Sequence, residues 1–239
     1  MPRQDERHRT SGQVSRRMDL LRGACRPRDF NEYVQALEKC EEMLHDEDRE
    51  WEIFDPCGRS YVRAIRWRQK LLLGDDRWRD LAQERKQVLM GSRRSKEYDF
   101  WGLPGRLVRT GWGASCDHQA EIMPVLRRVE QAPDIDFPVC GEDAMRKLVR
   151  FRGVAHGTAT LLTTLARPDR LLPVNGASEK ALAELSGVSV GRIRRPEGYC
   201  ELLRWLYRQP WYNDPRPEEE DMARIWQYRA ALVDAFVWE

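Results

Sequence analysis

The chain has 239 residues, 41% of them hydrophobic, enough to build one large core or two small ones. Lys and Arg outnumber Asp and Glu by only 41 to 39, so the overall charge points to no class of partner. No run approaches the roughly 20 apolar residues that span a bilayer, the N-terminus lacks the apolar core of a secretory signal, and the six cysteines form no CxxC or clustered pattern. These features predict a cytoplasmic globular protein with reduced thiols, no membrane association, no metal and no cofactor.

Residues 1–28 carry eight Arg against Asp5, Glu6 and Asp19, and are read as a basic, disordered arm. Residues 29–55 reverse the sign, with eleven acids against Lys39 and Arg49. Within them Asp29 and Glu32 have the spacing of a capping box, ahead of a helix with an apolar stripe at Phe30, Val34, Leu37 and Leu44. Helices are predicted over 60–73, 76–90 and 117–130, the last interrupted by Pro124. The glycine-rich stretch 92–115 between them reads as loop and short helix. Further helices fit 142–151, 158–166 and 177–186, then one after Pro196, and a long one over about 218–237 with Met222, Ile225, Trp226, Arg229, Leu232, Val233 and Phe236 on its buried face. No run alternates as a strand would, which predicts an all-α fold. The organisation expected is the arm, a helical N-terminal region over 29–139, and a second helical region over 140–239.

One stretch, FRGVAHGTATLLTTLARPDRLLPVN at 151–175, carries most of the chemistry. A helix reaches Arg150 and Arg152, turns through Gly153, Val154, Ala155, His156 and Gly157, and a second helix starts at Thr158. The glycines open backbone angles closed to other residues. The exposed amides of such a turn, at the positive end of the next helix, favour a phosphate oxygen. The same residues also serve an ordinary helix–helix turn. Between residues 146 and 195 stand ten Lys and Arg against Asp169, Glu179 and Glu184, a surplus suited to a phosphate backbone.

The hairpin Gly153-Val154-Ala155-His156-Gly157-Thr158-Ala159, the apolar helix TLLTTLAR and the PVN that precedes GASEKALAELSG resemble the helix-hairpin-helix DNA glycosylase superfamily, the endonuclease III-like proteins. The resemblance covers residues 140–239. It implies a two-lobed all-α fold, with helices of 60–130 supplying the remainder, and DNA as partner. The separation of Gly157 from Asn175 matches that between the family's catalytic Lys and catalytic Asp. With Gly157 at the amine position, no Schiff base to a sugar can form there, which excludes the family's lyase chemistry. With Asn175 at the acid position, the charge facing the developing sugar cation is lost, although an amide can still orient water.

The contacts expected with DNA are Gly153, Ala155, His156, Gly157 and Thr158 of the hairpin, with Arg150, Arg152, Arg167 and Arg170 around it. Asn175 is the candidate catalytic position, and Glu179, one helical turn further on, is the substitute carboxylate. These assignments describe a catalytically degenerate reader of DNA or of an extruded, modified base, of the kind that serves restriction or phage defence. Two alternatives stay open: a monofunctional N-glycosylase in which Asn175 positions water, and an interaction subunit that docks a nuclease or helicase through the acidic end of the 38–55 segment. A second basic edge is expected on the helix at 60–73, where Arg59, Arg63, Arg66 and Lys70 share one face and Arg68 accompanies them beside Tyr61 and Trp67. Trp101 and Trp211, each beside Pro in a loop, are candidates to meet a base.

Overall fold

The computed structural model describes residues 12, 14–45, 61–91, 107, 109–134 and 136–237. Among these the chain is all helical and contains no strand, as the apolar periodicity predicts. Arg59, Trp101 and the acidic residues beyond His45 lie outside the described residues.

The first helix, α1 (residues 14–19), departs from the expected disordered arm. Val14, Met18 and Leu21 recur at helical spacing among the arginines and are buried in the main core, and Arg17 donates to the Ala235 carbonyl at 3.3 Å. The next helix, α2 (Phe30–His45), starts at the predicted box. The Glu32 amide donates to Asp29 Oδ1 at 2.8 Å, and the Glu32 carboxylate accepts the Arg28 amide rather than the amide of Asp29. Phe30, Tyr33, Val34, Leu37 and Cys40 form its buried stripe.

Helix α3 (Tyr61–Leu72) occupies the predicted span, but its basic residues do not form a uniform edge. Arg66 and Lys70 are exposed, whereas Arg68 is wholly buried and donates to the Leu89 carbonyl at 3.1 Å. The helix predicted over 76–90 is two pieces, a 3-10 turn at Trp78–Asp80 and α4 (Gln83–Met90). The break follows from Trp78, whose buried indole donates to the Leu72 carbonyl while its amide donates to Gln119 Oε1, which binds the turn to two other segments.

Helix α5 (Arg109–Asp117) takes up the end of the glycine-rich stretch, and α6 (Gln119–Gln131) runs straight through Pro124 without interruption. Proline there removes one amide donor, to a carbonyl on a solvent-facing turn where Ala120 and Pro124 are both exposed. Helix α7 (Phe137–Leu148) begins five residues earlier than predicted, because Asp136 turns the chain at φ +60° and Pro138 occupies the first turn, where its missing amide costs nothing.

Helix α8 (His156–Ala166) is the centre of the molecule, packed by α3, α6 and α7. Every side chain from Thr158 to Ala166 is buried, as expected for a helix apolar on all faces. Its threonines are compatible with burial because Thr163 and Thr164 donate back to carbonyls one turn earlier, Ala159 at 3.1 Å and Thr160 at 2.7 Å. An extended run over 171–175 returns along α8 and leads into α9 (Glu179–Ser186), α10 (Val190–Ile193) and α11 (Pro196–Tyr207), the last packed on α7.

The predicted helix over 218–237 is broken into α12 (Glu220–Trp226), a turn, a 3-10 segment at Ala231–Val233 and α13 (Asp234–Val237). Arg229 causes the break. Its buried guanidinium lies over the Trp226 ring and donates to the Trp226 carbonyl at 2.8 Å, the acceptor that the next helical amide would use, while the Ala231 amide turns to the Pro168 carbonyl at 3.0 Å. Residues 230–237 then fill the space against α1, α2 and α3, with Tyr33 donating to Arg229, Tyr61 to Ala231 and Cys40 to Ala235. Trp211 belongs to this core, stacked on Tyr33 at 3.8 Å and 1% exposed, so it is no loop aromatic for a base.

Asp234 is buried among these groups with neither carboxylate oxygen hydrogen-bonded. Burial pushes its carboxyl up to about 8, against the pull of Arg68 and Arg17. Burial also brings Arg68 down to about 10. A carboxyl whose folded pKa is raised binds more protons folded than unfolded, so its contribution to stability is full below about pH 4 and is lost as pH rises to about 8. Thermal unfolding should therefore show Asp234→Asn gaining on wild type from pH 5 to pH 8. The opposite trend would mean that Asp234 is an ionised partner of the two arginines.

Candidate nucleic-acid interface

The hairpin between α7 and α8 is built from local backbone bonds. The Phe151 amide donates to Leu148 and the Val154 amide to Phe151, at 3.1 and 3.0 Å, and Gly153 supplies the required φ of +88°. Val154 is buried and pins the loop, while Arg150, Arg152, Gly153 and Ala155 face solvent. Helix α8 begins without a side-chain cap. The amides of His156, Gly157 and Thr158 therefore have no acceptor among the described residues, which leaves them as first-turn donors at the positive end of the helix.

Helices α5 and α6 hold the hairpin from behind. Phe151 stacks on His118 at 5.0 Å. A Cβ on Gly153 would lie 2.8 Å from that of Ala114, and one on Gly111 would collide with Thr158 Oγ1. Gly111, read as loop punctuation, thus acts in a helix, where it lets α5 approach Thr158 of α8 closely.

Position 157 meets a different wall. A Cβ there would sit 3.3 Å from the Val174 carbonyl oxygen and 3.9 Å from Asn175 Cα. Thr160 Oγ1 fixes that separation by accepting the Val174 amide and donating to the Val174 carbonyl, both at 3.1 Å. The Val174 carbonyl thus stands against position 157, one residue before Asn175.

Asn175 shapes the turn into α9. Its Oδ1 accepts the Ala177 amide at 2.8 Å, its carbonyl accepts the amides of Ser178 and Glu179, and its own amide donates to Ser178 Oγ. Its Nδ2 is buried without an acceptor. The side chain is held by its own turn, in the manner of Asx turns. Cavities of about 440, 680 and 190 Å³ lie elsewhere, beside Arg77 and Cys116, beside Pro124 and Val139, and beside Trp226 and Tyr228, and none of the three is lined by Asn175.

Glu179 is not the solvated carboxylate that a substitute acid needs. It is 6% exposed, and both its oxygens are held by the Arg194 guanidinium, Nε at 2.8 Å from Oε2 and Nη2 against Oε1. The hydrogen bonds from Arg194 are the main cause that keeps its carboxyl below the usual range, so it carries no proton to give at neutral pH. His156 Nε2 approaches the same carboxylate at 3.7 Å. Helix α8's first residue, the turn at Asn175, the start of α9 and Arg194 therefore meet in one polar cluster beside the hairpin. Arg194 carried no local signal: it lies 15 residues beyond its partner.

The fold redistributes the basic surplus. Arg146 pairs with Glu142 and Glu197, Lys147 with Asp143, and Arg192 with Glu201. Four of these acids lie just outside the 146–195 window and fold back against it. Arg167 and Arg170, expected at DNA, are engaged internally. Arg167 bonds Asp169, Asp134 and the Ala132 carbonyl and lies 4.6 Å over the Phe137 ring, and Arg170 bonds Asp134 and Asp169. They also sit past the far end of α8, an 11-residue helix roughly 16 Å long, away from the hairpin. Exposed and without a carboxylate partner among the described residues remain Arg150, Arg152, Lys180 and Arg195. Among the described residues no group of His, Cys, Asp and Glu is arranged to hold a metal, and no helix is long and apolar enough to cross a membrane.

Comparison with protein-family models, curated proteins and solved structures finds no match for this chain. The geometry of the hairpin therefore carries the functional argument by itself.

Gly153→Ala should lower stability by at least about 1 kcal/mol, through its positive φ and the contact with Ala114. Gly113→Ala, a helical glycine with open space around it, should raise stability by about 0.5 to 1 kcal/mol. Denaturant unfolding of the two variants checks the pair, and equal effects would remove the close-approach account.

Proposed function

We propose that this chain is a DNA-binding protein of helix-hairpin-helix, glycosylase-like character, which reads DNA without cleaving the base–sugar bond. The observation that carries the reading is the hairpin itself. The exposed residues Arg152, Gly153 and Ala155 lead into unpaired first-turn amides of α8, flanked by Arg150 and Arg152 with no carboxylate partner among the described residues. The order α7, Gly153 turn, α8, the 171–175 segment and α9 is the order that the resemblance implies for this part of the chain.

A reader is favoured over an excising enzyme by three features. Position 157 faces a carbonyl where an amine side chain would have to emerge. Asn175 brings no charge and is bound into its own turn. Glu179 is neutralised by Arg194. Electrostatic stabilisation of a developing sugar cation therefore has no free carboxylate in this cluster.

Affinity for a short duplex should fall steeply and linearly on a log–log salt plot. Replacing Arg150 and Arg152 together by Ala should reduce that slope by about 2. Arg167→Ala should leave the slope unchanged and lower thermal stability instead. A flat salt series for wild type would overturn the interface.

Incubation with duplexes carrying uracil, oxidised or alkylated bases should leave no abasic sites, and borohydride should trap no covalent adduct. Base release by wild type that is lost in Asn175→Ala would make Asn175 a water-positioning catalytic residue and displace the reader role.

A further inference from the structure

We infer that His156 takes up a proton when nucleic-acid phosphate seats on the hairpin, so that the affinity of this chain for DNA is tuned by pH through one imidazole. The inference rests on the DNA-binding reading above.

His156 is the first residue of α8, and its ring is half-buried between the hairpin and α9. Its Nε2 is buried and has no hydrogen-bond partner. The nearest carboxylate oxygen, Glu179 Oε2, is 3.7 Å away, beyond hydrogen-bond range, and both Glu179 oxygens already accept from Arg194. Among the described residues the carboxylate that faces the ring is therefore matched by a guanidinium and does not hold a proton on the imidazole.

The remaining neighbours do not supply the missing charge. On α9 Lys180 follows Glu179, and the ring's own loop carries Arg152. The α5 residues that meet the hairpin and α8 are Ala114 and Gly111, and the next turn of α8 presents Thr158 and Thr160. Burial, reinforced by Arg194 and only partly opposed by Glu179, depresses the imidazole below its usual value of 6.5, which leaves it neutral at pH 7.

A phosphate seated on the hairpin adds negative charge that Arg194 does not match. It favours the imidazolium through its charge. Binding and protonation are linked. Between the midpoints of the free and bound states, affinity falls as pH rises by up to about tenfold per pH unit, the limit for one proton.

The test uses the full chain and a short unmodified duplex at constant ionic strength. Histidine side-chain NMR spectra, assigned with His156→Gln, give the His156 midpoint with and without duplex, and fluorescence anisotropy gives the affinity from pH 5 to pH 8. The expected results are a free midpoint below 6.5, an upward shift on binding, and an affinity slope that disappears in His156→Gln. A free midpoint at or above 6.5, an unmoved midpoint with duplex bound, or a slope that persists in the variant would overturn the inference. Duplex binding with no pH dependence removes this inference alone, whereas absence of duplex binding at every pH removes the DNA-binding reading with it.

Discussion

The site depends on how closely α8 approaches its neighbours where no side chain intervenes. Gly157 lies against the Val174 carbonyl, Gly153 against Ala114, and Gly111 against Thr158, so three glycines set the spacing of α8, α5 and the returning 171–175 segment. Thr160 locks that spacing with two hydrogen bonds to Val174. Because α8 is buried from Thr158 to Ala166, the hairpin presents its amides from the edge of the core. A loop on a mobile scaffold would lose affinity to the entropy of ordering that this arrangement has already incurred in folding.

The same packing separates structural charge from available charge. Around Asp134 and Asp169, Arg167 and Arg170 tie the end of α8 to the loop before α7, and on α9 Arg194 answers a buried Glu179. Such pairs orient segments and contribute little to an external phosphate, since a guanidinium already matched by a carboxylate releases no counterion on binding. What faces solvent unmatched near the hairpin is a smaller set, headed by Arg150 and Arg152. The size of the basic run in sequence therefore overstates the interface, and its position relative to the Gly153 turn is the better guide.

Local signals in the chain were legible where local physics decides. The box at Asp29, the first proline of α11 and the apolar run of α8 placed their helices to within a few residues. The 11-residue α8 and the return at 171–175 bring position 157 against the Val174 carbonyl, next to Asn175. Non-local contacts account for the misses. Arg229 breaks the last helix by bonding carbonyls and rings that its own periodicity does not reveal, and Trp78 does the same between α3 and α4. Gly111 and Gly113 read as loop because two glycines give this helix the composition of a turn, although Gly111 serves close packing against Thr158. The pairs Glu179–Arg194, Arg146–Glu197 and Arg192–Glu201 join residues from different elements and leave no spacing to read.

The central claim is that one short loop and the first turn of one helix meet the phosphate backbone. Amide hydrogen exchange of the full chain, with and without saturating duplex, addresses it residue by residue. The account predicts added protection concentrated at 152–158, with the loop at 167–170 unchanged. Protection confined to other surfaces, such as the groove beside Pro124 and Val139, with the hairpin amides exchanging as in the free protein, would contradict it.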